Sequence, residues 1–183
     1  MKDNPFELDL SWARHCPRCG ADGLAVSALR RLDCAACGFR YYQNIATGVS
    51  AVLRVGDAVA WIVRGHEPGK GLLDWPGGFV DPGENLEEAL AREASEELGI
   101  SLPRGRYLLS RPNVYPYAGV TYLTLDVFFE FSFEVPPVAA LNEEVLALRW
   151  LRAAEVAPAD IAFGSVRSAW EVLALGINGN EIR

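Results

Sequence analysis

Two different periods of apolar residues run along this chain and predict its secondary structure. Apolar, largely β-branched residues fill positions 45–53, and a second such run covers positions 58–64. A Val-Gly-Asp turn at 55–57 separates the two runs. Short continuous apolar runs bounded by a turn favour buried strands, so we expect two neighbouring strands here.

A third run predicts a longer strand of two-faced character. Residues 120–133 (VTYLTLDVFFEFSF) alternate with period two, which puts Phe129, Phe131 and Phe133 on one face and Asp126 on the other. A pair of prolines at 136–137 ends the run. We expect this strand to be packed on its phenylalanine face.

The remaining elements are shorter. Residues 107–110 and 145–151 read as strands, and the glycine-rich stretch 66–73 reads as a loop. Ser165 is a candidate N-cap for a final helix that runs to about residue 175. Strands and helices that alternate in this order predict an α/β fold with a mixed sheet.

One segment, residues 85–99, has the pattern of an amphipathic helix. Asn85 can cap it, Glu88 three residues later completes a capping box, and Gly99 can end it. The apolar stripe that would face the core consists of Leu86, Leu90, Ala94 and Leu98.

The same helix predicts a metal site. At 100° per residue, Glu93 and Glu97 lie about 40° apart around the axis, and Glu96 flanks them. Carboxylates this close repel one another, so they either raise one another's pKa or bind a hard divalent cation. The spacing indicates Mg²⁺ or Mn²⁺, whose usual substrate is a phosphate chain. The alternative, a solvated acidic face, suits Glu87 and Glu88.

A second metal site is predicted upstream of the helix. Two Cys-x-x-Cys-Gly motifs contain all four cysteines of the chain, namely Cys16, Cys19, Cys34 and Cys37. Two such thiolate pairs suit tetrahedral zinc, with iron as the alternative metal. A disulfide framework is the other interpretation, and it is disfavoured because residues 1–15 lack the pattern of a secretory signal. We therefore expect a lead-in at 1–13, a zinc ribbon at 14–40, a larger domain at 41–183 and a cytoplasmic location.

Composition narrows the choice of function. The chain has 183 residues, of which 50% are hydrophobic, enough for a sizeable core. It contains no run of about 20 apolar residues, which excludes an ordinary membrane-spanning helix. The net charge of −7 argues against a nucleic-acid surface that covers the whole chain. Within the ribbon, however, arginines outnumber acids, which leaves a local polyanion-binding face open as an alternative to solubilising charge.

The segment from Gly78 to Ile100, GFVDPGENLEEALAREASEELGI, resembles the Nudix box, G-x5-E-x7-R-E-U-x-E-E-x-G-U, at every fixed position. The resemblance implies a Nudix-type α/β/α sandwich, preceded here by the zinc-ribbon module. It also implies hydrolysis of a diphosphate that is linked to another moiety.

The resemblance also implies roles for individual residues. Glu93 and Glu97 would be the principal metal ligands, and Glu96 a third ligand or the general base. Glu84 and Arg92 would orient the helix and the preceding loop. In that loop, Gly77 and Gly78 would allow close approach to phosphates.

The general base has a second set of candidates. Nudix proteins often supply an extra acid from a loop downstream, where this chain has Glu143 and Glu144. The alternative for this pair is an ordinary charged surface loop. A carboxylate in this role would take the proton of the water that attacks phosphorus.

The substrate is less closely specified. A zinc ribbon followed by a Nudix domain is similar to the NADH pyrophosphatases, which carry an S-Q-P-W-P-F-P array after the box. The corresponding segment 110–117 reads SRPNVYPY and lacks the glutamine, the tryptophan and the middle proline. Tyr115, Tyr117 and Trp75 are candidates for stacking on a base or for packing, and Arg64 is a candidate phosphate contact.

Three functions remain open on this basis. The first is a hydrolase of a small nucleoside diphosphate derivative such as ADP-ribose, NADH or FAD. The second is an enzyme that removes an NAD-like cap from RNA, and the third is a nucleotide sensor without activity. Homodimers are frequent among the relatives, so a second copy of this chain is a candidate partner.

Overall fold

The computed structural model describes residues 13–28 and 30–177. Apart from Ala13, the predicted lead-in lies outside the described residues. A small antiparallel sheet comes first, built from the strands β1 (Leu24–Ala28), β2 (Arg31–Cys34) and β3 (Arg40–Tyr42) in that order. The predicted ribbon therefore contains a sheet of its own.

A seven-stranded mixed sheet follows. Its five main strands lie in the order β10-β5-β4-β9-β8, with β6 paired to β5 and β7 paired to β4. The neighbours β4 and β9 run parallel, and the other pairs are antiparallel. The strands are β4 (Ala46–Val55), β5 (Ala58–Arg64), β6 (Leu73–Asp74), β7 (Gly77–Phe79), β8 (Arg106–Tyr117), β9 (Val120–Ser132) and β10 (Val145–Arg152).

Two helices cover the two faces of this sheet, α1 (Leu86–Leu98) and α2 (Gly164–Ile177), with 3-10 turns at Ala153–Glu155 and Pro158–Asp160. The apolar stripe of α1 packs on alternate residues of β4, β5 and β9, including Phe129. The intervening residues of the same strands, including Phe128, pack against α2. This arrangement confirms the predicted α/β/α sandwich.

The strands predicted at 45–53, 58–64 and 120–133 are present with nearly the same bounds, whereas the strand at 107–110 was predicted too short. It continues to Tyr117 as β8 and pairs with β9 along its length. Pro112 and Pro116 lie within β8, and they are tolerated there because β8 is an edge strand, where a missing N–H donor costs little. The short strands β6 and β7 were not predicted at all.

The predicted cap of the last helix was wrong. The helix begins at Gly164, so Ser165 lies inside its first turn. The Ser165 hydroxyl donates a hydrogen bond to Asp126 of β9, at 2.5 Å. The Ser165 side chain therefore makes a tertiary hydrogen bond in place of the local capping bond that the sequence predicts.

No helix in the described part of the chain is long and apolar enough to cross a membrane.

Candidate active site

Local signals position α1, as the sequence predicted. The Asn85 side chain accepts from the Glu88 amide at 2.9 Å, and the Glu88 side chain accepts from the Asn85 amide at 2.9 Å. Gly99 ends the helix in the left-handed conformation, with φ of 65°. Because both ends are fixed, the carboxylates on the helix have defined directions.

Arg92 is the centre of an ion-pair network on α1. Its guanidinium forms a two-point contact with Glu84, at 2.8 and 3.0 Å, and also donates to the Phe79 carbonyl at 3.0 Å. The remaining nitrogen lies 2.8 Å from Glu93 and 3.3 Å from Glu96. These contacts hold the pKa of Glu84 below its usual value and tie the loop before α1 to the helix.

Glu97 is the most deeply buried acid of α1, with 6% of its surface exposed. One oxygen accepts the Gly77 amide at 2.9 Å. Burial raises the pKa of Glu97 to about 8, and the neighbouring Glu93, Asp74 and Glu144 act in the same direction. Burial also raises the pKa of Glu93, against the opposing effect of Arg92. This site therefore concentrates negative charge that lacks a full set of positive partners.

Two glycines shape the loop for reasons that the structure makes specific. Gly77 has a φ of 150°, and a side chain there would overlap the Val49 carbonyl oxygen of β4. A side chain at Gly78 would collide with the Glu93 carboxylate. Both positions thus require the absence of a Cβ atom, one for sheet pairing and the other for the acid.

A cavity of about 320 Å³ opens beside these acids. Residues from the six strands β4 to β9 and from both helices contribute to its wall. Two arginines line it, Arg64 and Arg92, against six acids. These acids are Asp74, Asp81, Glu93, Glu97, Asp126 and Glu144.

Only some of the predicted site residues reach the cavity. The cavity lining includes Glu93, Glu97 and Glu144, but neither Glu96 nor Glu143. The Glu96 side chain is 57% exposed, on the outer side of Arg92. The loop pair at 143–144 is therefore split, with one acid facing the cavity.

The stacking candidates also separate. Trp75 is 1% exposed and packs between Trp61 and Phe128, so its indole belongs to the core. Tyr115 lines the cavity, whereas Tyr117 is 55% exposed and stacks on Tyr115 from outside. Tyr115 is therefore the best-placed of the three for stacking, since Trp75 contributes to the cavity wall but is almost fully buried in the core.

Arg64 also lines the cavity, but all three of its guanidinium nitrogens have protein partners. It contacts Asp74 at 2.9 Å, the Pro68 carbonyl at 2.8 Å and His66 at 3.4 Å. The guanidinium carbon lies 4.7 Å from the centre of the Phe163 ring. Arg64 is thus held firmly in the wall.

Several cavity residues were missed by sequence reasoning. Phe79 and Phe163 flank Tyr115, each with ring centres 5.5 Å from the tyrosine ring. Asp74 and Asp126 add negative charge. The sequence does contain a sign of Asp126. It is an acid within an apolar strand, on the face opposite the phenylalanines, and a buried acid needs a polar partner.

The cysteines meet in one place. Their four sulfur atoms lie within 4.8 Å of one another, and the cysteines are free. Two sulfur pairs are 3.7 and 3.8 Å apart, close to the roughly 3.8 Å edge of a tetrahedron with Zn–S bonds of about 2.3 Å. Among the described residues this is the one such His, Cys or acid cluster with metal-binding spacing. The arrangement can hold a metal ion such as zinc.

Comparison with known proteins agrees with the fold. The family model of the NUDIX domain matches residues 44–169. An NAD-capped RNA hydrolase NudC from Klebsiella pneumoniae is 30% identical over 139 residues, which are 76% of this chain and 51% of that protein. The NudC of Stutzerimonas stutzeri is 26% identical over 141 residues, 77% of this chain and 49% of that protein. The chain spans about half the length of these curated relatives.

Solved structures support the fold. A NUDIX hydrolase from Nitrosomonas europaea superposes with a TM-score of 0.63 at 22% identity and covers 90% of both chains. The NUDIX domain of Shewanella oneidensis NrtR, crystallised with ADP ribose, gives a TM-score of 0.59 at 22% identity, over 70% of this chain and 86% of that one.

Proposed function

This chain belongs to the NUDIX family, and we propose that it is a metal-dependent hydrolase of a nucleoside diphosphate linked to a second moiety. One observation carries the proposal most directly. The cavity beside the Nudix helix has six carboxylates and two arginines in its wall. A diphosphate would be repelled from such a site unless divalent cations accompanied it.

The donor atoms of the residues present fit Mg²⁺ or Mn²⁺, although among the described residues the acids do not bring three ligand oxygens as close together as the four sulfur atoms of the ribbon. Both ions prefer oxygen ligands, and Glu93 and Glu97 present carboxylate oxygens to the cavity, with Glu96 available beside Arg92. When bound, such an ion polarises the phosphoanhydride and lowers the pKa of a coordinated water. The chain itself keeps these acids in place through the Gly77 amide and through Arg92.

Glu144 is the better-placed candidate for the general base. It lines the cavity and its charge is felt by both Glu93 and Glu97, whereas Glu143 and Glu96 lie outside the wall. Its loop is tied to the sheet by the Gly65 amide, which donates to the Glu144 carbonyl at 2.7 Å. A carboxylate held in this way can accept a proton from the attacking water.

The cysteine cluster supports zinc as the ion of the ribbon. The ribbon's sheet extends past the predicted range 14–40, because β3 pairs with β2 as far as Tyr42. Gly20 and Gly38 follow the two cysteine pairs in left-handed conformation, with φ of 73° and 69°. Their amides donate to the Cys16 and Cys34 carbonyls, which closes the two turns. These turns point the sulfur atoms at a common centre.

Two substrate classes compete within this reaction. The relatives named NAD-capped RNA hydrolase favour an NAD-like end on RNA, and the neighbour bound to ADP ribose favours a free metabolite. We place the small metabolite first because the net charge of −7 opposes a broad RNA surface.

The test is hydrolysis of ADP-ribose, NADH, FAD and NAD-capped RNA with Mg²⁺ or Mn²⁺, by wild type and by Glu97→Gln. Wild type should release a mononucleotide from at least one of them. Glu97→Gln keeps an acceptor for the Gly77 amide but removes a charge from the metal site, so we expect a loss in kcat of about 100-fold or more.

Thermal unfolding of both proteins is the control for folding. A wild type without turnover on any of the four substrates would leave a nucleotide sensor as the better interpretation. Glu97→Gln with near-native turnover would overturn the assignment of the metal ligand.

A further inference from the structure

Opposite the Nudix helix, three polar side chains form one end of the cavity. Asn113 of β8 pairs with Thr124 of β9, and Asp126 follows Thr124 two residues later on the same face. All three line the cavity, and we call them the polar ladder. The acids of α1 and this ladder belong to different elements, so one substrate could contact both.

Asp126 is held in a fixed orientation. One oxygen accepts from the Thr124 hydroxyl at 2.7 Å, and the other accepts from the Ser165 hydroxyl at 2.5 Å. Across the sheet, a Cβ atom at Gly48 would lie 2.8 Å from the first oxygen, so a larger residue there would displace the carboxylate. Each carboxylate oxygen can accept a second hydrogen bond, and the cavity is the open direction.

Asn113 is the second independent feature. It is 93% buried, since only 7% of its surface is exposed, and yet it lines the cavity. Its side-chain amide has both a donor and an acceptor, so a ligand in the cavity could bond to both.

Aromatic rings stand directly beside this polar ladder. Tyr115 follows Asn113 on the same face of β8, and the Phe79 and Phe163 rings lie on either side of it. The Phe163 ring is tilted by 39° to Tyr115, and the Phe79 ring is nearly perpendicular to it, at 86°. Such walls favour a flat ring whose polar edge points toward Asn113 and Asp126.

We propose that the polar ladder selects the non-phosphate end of the substrate, a planar ring with a hydrogen-bond donor next to an acceptor. Asp126 accepts from the donor, and the Asn113 amide donates to the acceptor. Asp126 and nearby Asp74 would repel a phosphate at this end. This inference rests on the proposed function and names the chemical class that the same cavity accepts.

Two sources carry this chemistry. Adenine offers an exocyclic amine beside a ring nitrogen, and a pyridine carboxamide offers its amide N–H₂ beside its carbonyl. In hypoxanthine the donor and the acceptor are exchanged, and in a pyridine carboxylate the donor is lost. Paired substrates of this kind distinguish the two sources.

The experiment measures kcat/KM for two pairs, ADP-ribose against its hypoxanthine counterpart and NADH against its nicotinic-acid counterpart. The proteins are wild type, Asp126→Asn, Asn113→Leu and the control Asp57→Asn. Asp57 lies exposed in the turn between β4 and β5, so it undergoes the same chemical change far from the cavity. Thermal unfolding establishes that each variant is folded.

If adenine occupies the ladder, the preference for ADP-ribose over its counterpart should fall about 10- to 100-fold in both ladder variants and stay unchanged in Asp57→Asn. If the carboxamide occupies it, the same loss should appear in the NADH pair instead. Unchanged ratios for both pairs in both ladder variants would overturn the proposal.

A binding measurement separates this inference from the proposed function. Calorimetric titration of the same four compounds, with Ca²⁺ in place of Mg²⁺, reports ring preference without turnover. Binding with the expected ratios but without hydrolysis would overturn the proposed hydrolase activity and leave the proposed ring selection in place. A wild-type protein that binds none of the four compounds would overturn the proposed ring selection.

Discussion

At the scale of single residues, the glycines before α1 determine the geometry of the site as much as the glutamates do. Gly78 leaves the space that the Glu93 carboxylate occupies, and that carboxylate in turn contacts Arg92. A Cβ atom at position 78 would overlap one Glu93 oxygen, so the carboxylate would have to move from its present position.

We therefore predict that Gly78→Ala will lower kcat/KM by about 100-fold, the cost expected when a catalytic group is displaced by about 1 Å. Steady-state kinetics on the best substrate would measure the loss. Gly164→Ala is the matched control, because a Cβ atom there meets no other atom within 4 Å. Equal activity of the two variants would show that Gly78 does not position Glu93.

Residue identity alone predicted which side chains would matter on α1, and much less about those across the cavity. The box supplied Glu93, Glu97 and their partners because all of them belong to one helix and its loop. Asp74 and Asp126 were missed because each has a partner in another element, Arg64 of β5 for Asp74 and Ser165 of α2 for Asp126. Their position depends on strand order, which the periodicity of one strand does not contain.

At the scale of elements, local chemistry decided how well each one could be predicted. The capping box and the terminal glycine fixed both ends of α1 from sequence, and both were confirmed. For β8 the sequence predicted only residues 107–110. The second half of the strand contains Pro112 and Pro116, which are tolerated because β8 is an edge strand.

The ribbon is the element whose stability depends most on a bound ion. Its three strands have 5, 4 and 3 residues, and most of their side chains are exposed. A sheet of this size lacks the buried surface to fold alone, so we expect a metal ion held by the cysteine cluster to supply much of its stability.

We predict that Cys34→Ser will lose the bound zinc and unfold the ribbon while the seven-stranded domain stays folded. Metal content by emission spectroscopy and amide signals by NMR would follow the two events. His15→Ala is the control, because His15 pairs with Asp22 and stands outside the sulfur cluster. Full zinc content in Cys34→Ser would contradict the four-cysteine site.

At the scale of the whole molecule, the sandwich brings side chains from separate elements together in one cavity. The sheet separates two apolar cores, and the cavity is lined by residues from the six strands β4 to β9 together with both helices. Acids from α1 stand on one side and the polar ladder on the other. The charge of the whole cavity is a property of this assembly and of no single motif.

That charge leads to a prediction about binding as well as turnover. Six acids and two arginines give the wall an excess of negative charge, and each close pair of like charges costs on the order of 1 kcal/mol or more. Wild type in EDTA should therefore neither hydrolyse nor tightly bind ADP-ribose, and Mg²⁺ or Mn²⁺ should restore both. Adenosine, which lacks phosphate, is the control, and its affinity should change little with the metal. Isothermal titration with and without chelator measures all four cases, and tight metal-free binding of ADP-ribose would mean that protein cations suffice to hold the diphosphate.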